Sequence, residues 1–454
     1  MSRKVFISVL GTNDYKECVY ACGDYKSASV RFIQEATLDY LIKQGEATAT
    51  EWNNEDSAYI LLTEDAYQRN WVDNGQIDRD GKQLEREGLC TRLKAMHLPF
   101  EVHPEMGLPI GNNETEIWNI FSRVYSLLEE GDELYFDLTH GFRYLPMLVL
   151  VLGNYAHYLK NVTIKSITYG NFEGRDKATG YAPIVNLLSL SLVQDWAFAA
   201  GQYVQNGVTT PLMNLCNAEL KPILRETKGK NLAATSLRSW LKFLNDFAMS
   251  CQTCRGESII KANEIKQMRD QTDLIDQELI PPLVPIFEYV ENSLKPFDTE
   301  ENLNNAFRAA EWCCNNGLYQ QAATLLQEYI VSVLCDNNGL DRLDVEMRDL
   351  IHRAIYIKTQ ESLPKNKGNK EHIEDSDDSE RIAEKEEIQK RLLRNDNDNW
   401  ICNEQFLHLF SDLSTKRNDI NHAGMRKNPQ PLSSIKLCEG VKRIIKQYKQ
   451  LFHL

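Results

Sequence analysis

The sequence predicts two parts. Residues 1–189 read as an α/β domain with a parallel, doubly wound sheet, and residues 190–454 as an all-α region. Two observations carry this. Short apolar runs alternate with segments of helical period in the first part, the βαβα rhythm of a wound sheet. Strand signals then nearly vanish, and apolar residues recur at three and four positions instead. A chain of 454 residues has room for about three average domains or two larger ones.

Val5–Leu10 (VFISVL) is the first strand and ends in Gly11-Thr12-Asn13. Ser27–Ile42 carries helical spacing through Val30, Ile33, Leu38 and Leu41. Tyr59–Leu62 is a second buried strand, and Phe100–His103 a short third. Asn113 reads as the N-cap of a helix with Ile117, Ile120, Phe121, Val124 and Leu128 on one face. Glu133–Leu138 is the next strand, followed by a helix over Tyr144–Leu159 and a strand over Thr163–Thr168. Beyond residue 190, segments 190–205, 231–250, 257–294, 301–315, 318–336, 342–360 and 400–415 are helical in period. Residues 364–390 are charged and almost without apolar side chains, the composition of a disordered insertion or a solvated helix extension.

Composition excludes several classes. The net charge of −14 argues against a protein that coats nucleic acid non-specifically, though not against a local basic site. The longest apolar run, Met147–Leu152, is far short of a membrane span. The opening MSRKVFISVLG is too short an apolar segment for a signal peptide and reads as a strand. Eleven cysteines at irregular spacing then read as reduced thiols of a cytoplasmic protein. The single CxxC, Cys251 to Cys254, lacks the second pair or histidines that a zinc site needs. No metal site is expected.

The strand ends carry the chemistry of the first part. Ligands of open α/β sheets sit beyond the carboxyl ends of the strands. Glycine and small polar residues gather there: Gly11-Thr12-Asn13, Thr63, Thr139-His140-Gly141 with Arg143, and Tyr169-Gly170. Glycines admit close approach by a ligand, and a helix starting after Gly141 would direct N–H groups at the same crevice. Such a set suits a phosphodiester or nucleotide. The GxGxxG and GxxxxGK[ST] cradles are both absent. Asp137 with His140 has the composition of an acid–base pair, while His140 alone is more often a structural histidine that bonds a backbone carbonyl.

The string DLTHGFRYLP, from Asp137, resembles the Asp-x-Thr-His-Gly motif of CRISPR-associated proteins with a CARF domain, the Rossmann-like sensor of type III systems. The Gly11-Thr12-Asn13 loop and the Tyr169-Gly170 strand end are similar to that family too, so the resemblance covers roughly residues 1–185. It implies a homodimer, with higher assembly open, that binds cyclic oligoadenylate across its two-fold axis. Cyclic tetra-adenylate is the preferred ring on family grounds and hexa-adenylate the alternative. The ligand-binding residues it implies are Gly11, Thr12, Asn13, Thr63, Thr139, His140, Gly141, Arg143 and Tyr169.

In the helical part, Arg417-Asn418-Asp419-Ile420-Asn421-His422 follows an amphipathic segment and precedes Gly424. Residues 411–454 reverse the chain's charge, with nine Lys or Arg against three Asp or Glu. A second Arg-x4-His match, Arg92 to His97, lies in ordinary amphipathic surroundings and reads as chance. RNA carries its own nucleophile, the 2′-hydroxyl. An imidazole can move the protons and a guanidinium can hold the phosphate. No metal or other cofactor is required, and DNA should be inert. The same residues resemble the Arg-Asn-x3-His motif of HEPN ribonucleases, and Ala306–Ile330, with Gly317 and Glu328, looks like an earlier helical pair of that fold. The resemblance implies one composite site built from the Arg417 and His422 of two protomers, with Asn418 orienting the pair.

The reading is therefore a CARF domain plus an all-α HEPN domain: a cyclic oligoadenylate-activated, metal-independent endoribonuclease that cuts single-stranded RNA and leaves a 2′,3′-cyclic phosphate. The alternatives are a sensor whose helical domain is inactive, and a sensor domain that degrades its own ligand.

Overall fold

The computed structural model describes all residues except 1, 49, 79, 142, 143, 273–280, 363–378, 395–400, 402 and 426–429. The chain divides into two compact units, Met1–Gln194 and Asp195–Leu454.

The first unit is built on an eight-stranded mixed sheet. Its strands are β1 (Lys4–Leu10), β2 (Cys18–Cys22), β3 (Tyr25–Val30), β4 (Ser57–Leu62), β5 (Glu101–Glu105), β6 (Glu133–Asp137), β7 (Thr163–Gly170) and β8 (Ala182–Asn186). The helices are α1 (Ile33–Ala47), the single turn α2 (Glu64–Ala66), α3 (Leu89–Ala95), α4 (Glu114–Ser126) and α5 (Leu145–Lys160). The spatial order is β3-β2-β8-β7-β6-β1-β4-β5. Strands β5, β4, β1, β6 and β7 pair in parallel, with β1 at the centre of that set.

β1 can sit at the centre because all seven of its residues are buried, as a strand covered on both faces requires. Val5, Ile7 and Val9 pack with Ile120, Val124, Leu148, Val149 and Leu152 from α4 and α5. Phe6 and Leu10 pack on the opposite face with Leu38, Leu41, Leu89 and Leu93 from α1 and α3. Each such aliphatic side chain contributes roughly 1.5–3 kcal/mol of burial.

Two features correct the expected parallel sheet. Residues 27–30 are the end of a strand, not the start of a helix. Gly23 takes φ +55° in the turn between β2 and β3, and the helix begins only at Ile33. β8 runs antiparallel to β7 and leads back beside β2, so the sheet is mixed. Asn113 caps α4 as its position suggests, accepting from Glu116 N at 3.0 Å.

The second unit is helical in its described residues. α6 (Leu188–Asn206) leads into it, followed by α7 (Thr210–Glu226), α8 (Leu232–Gln252), α9 (Gly256–Lys261), α10 (Asn263–Thr272), α11 (Val284–Leu294), α12 (Asn304–Asn315), α13 (Tyr319–Asn337), α14 (Val345–Ser362), α15 (Ser379–Leu392), α16 (Glu404–Asn421) and α17 (Ser434–Leu451). α12 and α13 form a hairpin about Gly317, whose φ of +76° lets Leu318 N bond back to Cys313 O at 2.8 Å. Of the charged stretch 364–390, the described residues from 379 onward belong to α15, and 364–378 lie outside the described residues. No helix among the described residues is long and apolar enough to cross a membrane.

Candidate functional site

In the first unit β1 and β6 are neighbouring parallel strands, so the loops that leave them start side by side at the carboxyl edge of the sheet. The β1 loop leads to the β2–β3 hairpin at one border of the sheet, and the β6 loop leads through α5 to β7. The crevice between these two loops is at the usual ligand position of this architecture. Gly11, Thr12 and Asn13 form one lip, and Thr139, His140 and Gly141 the other. Tyr169, exposed at the end of β7, stands next along.

A buried polar network fixes these loops. Asp137, the last residue of β6, is fully buried. It accepts from Ser8 Oγ of β1 at 2.7 Å, from Thr139 Oγ1 at 2.5 Å and from Thr139 N at 3.2 Å. Gln34 of α1 donates to Ser8 Oγ and to Val9 O, both at 3.0 Å. Thr139 Oγ1 accepts from Gly170 N at 2.7 Å. One carboxylate thus ties together the ends of β1, β6 and β7. Burial raises the pKa of Asp137, and the hydrogen bonds it accepts oppose that rise. The Thr139 hydroxyl is turned inward to this network, so its part in the crevice is to shape the loop.

On the other lip, Asn70 Nδ2 donates to Gly11 O and Asn13 O, both at 2.9 Å. Gln76 Nε2 bonds to Asn70 Oδ1 at 2.9 Å and backs it up. Both amides are buried, so the loop's carbonyls are fixed from behind. Tyr15 then folds over the crevice and stacks on His140, with ring centroids 4.0 Å apart and planes 24° apart. Its phenol oxygen would lie 2.4 Å from a Cβ at position 11, which explains why glycine stands there. Burial raises the Tyr15 pKa.

Burial also lowers the pKa of His140 from the ordinary 6.5 to about 4, so its imidazole is neutral at neutral pH. The sign of its linkage to stability follows. The unfolded chain takes up a proton near pH 6.5 that the folded unit refuses until about pH 4, so this residue withdraws stability as pH falls through that window. Asp137, raised by burial, acts in the opposite sense at the acid end. Replacing His140 by glutamine should flatten the fall of melting temperature between pH 6.5 and 4 relative to the wild-type chain. An unchanged slope would show that burial of the imidazole is not its cause.

The remaining candidates are placed differently. Thr63 lies at the end of β4, where its hydroxyl caps α2 by accepting from Ala66 N at 3.2 Å. Gly141 is exposed. Arg143 lies outside the described residues. α5 starts at Leu145 rather than directly after Gly141.

In the second unit α16 continues to Asn421, so Arg417 and Asn418 lie within the helix rather than after it, and His422 is its C-cap. His422 N bonds to Asn418 O at 3.0 Å. The helix stops because Ala423 and Gly424 take φ of +52° and +67°. Asn418 and His422 are exposed. Arg417 is partly buried and lies 3.7 Å from Glu328 of α13. Its Nε is shielded from solvent and bonds to nothing among the described residues. Glu328 accepts from Arg348 of α14 at 2.6 Å, so its carboxylate lies between two guanidinium groups. Asp419 is buried and accepts from Leu432 N at 3.1 Å, which turns its charge inward. The second Arg-x4-His match is structural: Arg92 pairs with Glu35 at 2.9 Å and with Glu87 at 3.4 Å. No three His, Cys, Asp or Glu side chains among the described residues are gathered as a metal-binding set.

Asn70, Gln76 and Arg348 are absent from the sequence reading, and Tyr15 enters it only as the end of the strand-end string Gly11-Thr12-Asn13-Asp14-Tyr15, with no role given to it. Only Tyr15, five residues beyond β1 in the loop already singled out, offered a signal. Asn70, Gln76 and Arg348 are common polar residues whose partners lie many positions away.

The fold defines a Rossmann-like domain with a candidate cleft at its strand ends, on a chain whose second unit is helical in its described residues. Residues 5–173 match the CARF-domain family of the CRISPR system endoribonuclease Csx1. Over 384 residues the chain is 27% identical to CRISPR-associated protein MJ1674 of Methanocaldococcus jannaschii, covering 78% of this chain and 57% of that protein. It thus spans little more than half the length of this relative. Enterococcus italicus Csm6 bound to cyclic hexa-2'-fluoro-hexa-dAMP aligns at a TM-score of 0.40 and 10% identity, over 99% of this chain and 93% of that one. Residues 5–173 are thus similar to the CARF domains of CRISPR-associated proteins, and the likeness to the relative extends into the helical unit.

Proposed function

We propose that this protein is a cyclic oligoadenylate-sensing effector whose helical unit cuts single-stranded RNA, with cyclic tetra-adenylate the preferred activator and hexa-adenylate the alternative. The observation that carries the nuclease reading is the pairing, at the end of α16, of an exposed imidazole with a guanidinium whose Nε has no partner among the described residues. Arg417, with one ionic neighbour at 3.7 Å, retains donors for a phosphate. His422 is placed to move a proton. The RNA 2′-oxygen attacks the adjacent phosphorus, its proton passes to an imidazole, and the 5′-oxygen leaves with a proton from the partner protomer's imidazole. The products are a 2′,3′-cyclic phosphate and a 5′-hydroxyl. No metal enters these steps.

Sensing rests on the crevice between the β1 and β6 loops. A ring of adenylates joined by phosphodiesters offers anionic groups to the backbone at Gly11–Asn13 and Thr139–Gly141, and bases to Tyr169 and Tyr15. Activation requires the ligand to bind one arrangement of the chain better than another.

A homodimer is supported by an unpaired apolar stripe on α5, where Met147, Val151 and Tyr158 expose 68%, 52% and 69% of their surfaces. Placing aspartate at Val151 should convert the protein from dimer to monomer in light scattering and remove RNA cleavage with it. A dimeric variant would place the contact elsewhere.

The decisive assay incubates the protein with fluorescent RNA and a panel of cyclic oligoadenylates of different ring size, with and without EDTA. Cleavage with one ring and not the others, unaffected by EDTA, is expected. An RNA left intact with every ring would defeat the nuclease reading and leave a binding-only sensor.

A further inference from the structure

The second unit holds a cavity of about 570 Å³ between α14 and α15, lined by Leu350, His352, Arg353, Tyr356, Lys385 and Gln389 among others. Its size falls in the range of small-ligand sites. Leu350 is buried and supplies an apolar wall. Tyr356 leaves 51% of its surface exposed, enough for a planar group to lie on its ring. Arg353 is exposed on the same helix, and Lys385 stands across from it on α15, 3.4 Å from Glu346.

Gln389 is the diagnostic residue. Both Nε2 and Oε1 of its amide are shielded from solvent, and neither has a hydrogen-bond partner among the described residues. A buried amide left in that state is costly, and its donor and acceptor lie side by side, as on the edge of a nucleobase. His352 connects the cavity to the proposed catalytic group. Its ring lies 6.1 Å from that of Phe410 on α16, and Glu328 and Arg417 both act on its charge.

We infer that this cavity is a nucleobase pocket for the RNA substrate: one unpaired base stacks on Tyr356, its edge bonds to the Gln389 amide, and the neighbouring phosphates meet Arg353 and Lys385. Stacking beside cations is the general means of holding a single strand. The amide adds preference among bases, adenine being the base whose edge an amide fills with two hydrogen bonds. The pocket deepens the ribonuclease reading and rests on RNA being the substrate. It also gives the charged stretch a task, since α15 forms the second wall.

The test uses the full-length chain. RNA affinity is measured by fluorescence anisotropy in the His422→Ala background with activator present, using four homopolymeric RNAs. Tyr356→Ala should weaken binding about ten-fold. Tyr356→Phe, which keeps the ring, should bind like its parent, so a general folding defect is told apart. Gln389→Ala should narrow the spread of affinities among the four homopolymers by about five-fold or more, and in the active enzyme it should redistribute the cut sites on a mixed RNA. Unchanged affinity in Tyr356→Ala together with unchanged base preference in Gln389→Ala overturns the pocket, as does the absence of RNA binding in every variant. Binding that depends on Tyr356 in a protein that cuts no RNA sustains the pocket and overturns the nuclease reading instead.

Discussion

Substituting alanine for His422 is expected to reduce RNA cleavage by roughly 10²–10⁴-fold, the span of a lost general acid or base, while cyclic oligoadenylate binding is unchanged. The side chain is exposed at the C-cap of α16, where it makes no packing contribution that alanine would forfeit. The fold should therefore survive, and a thermal melt should coincide with the wild type. Arg417 gives the companion result. Arg417→Lys keeps the charge yet loses the planar fork, so it should recover little of the activity lost in Arg417→Ala. Lysine restoring full turnover would mean that position 417 supplies only a diffuse positive field. A His422→Ala protein that cuts RNA at the wild-type rate would remove the site from α16 altogether.

Asp137→Ala is the second large effect, and it concerns the other unit. The substitution takes away the acceptor shared by Ser8 Oγ, Thr139 Oγ1 and Thr139 N. Buried donors left unmatched each cost about 1–3 kcal/mol, and these share one network. A loss on the order of 3 kcal/mol is expected, which for a unit of this size lowers the melting temperature by roughly 6–12 °C. Ligand affinity should fall with it, because Thr139 and Gly170 are positioned through the same carboxylate. A variant that melts like the wild type and still binds ligand would show that the ends of β1, β6 and β7 are held by something else. Thr139→Ser, which keeps the hydroxyl, should behave nearly as the parent chain.

The part of this architecture legible in the sequence is the part governed by local pattern. β1, β4 and β6 declare themselves because a strand covered on both faces must be apolar almost throughout, as VFISVL and YILL are. The α4 start is legible because Asn113 and Glu116 form a cap within one turn. The β2–β3 hairpin is hidden because Tyr25–Val30 is rich in small and polar residues and runs directly into α1, so Val30 and Ile33 share a helical spacing by accident. The crevice was legible at Gly11 and at Thr139–Gly141, where glycine and threonine follow strands. The clamp behind it was not. Asn70 reaches its partners 59 and 57 positions away, and only folding creates that contact. The same holds in the helical unit, where Glu328 meets Arg417 across two helices and Asp419, an apparent intruder beside the motif, turns out to hold the chain at Leu432.

The border strands of the sheet have a consequence for assembly. β5 ends the parallel set, and its sequence Glu-Val-His-Pro-Glu places a tertiary amide nitrogen with no hydrogen at Pro104 and carboxylates at both ends. A strand without a full row of donors is a poor template for another chain. A second copy is thus discouraged from adding a strand at this border of the sheet.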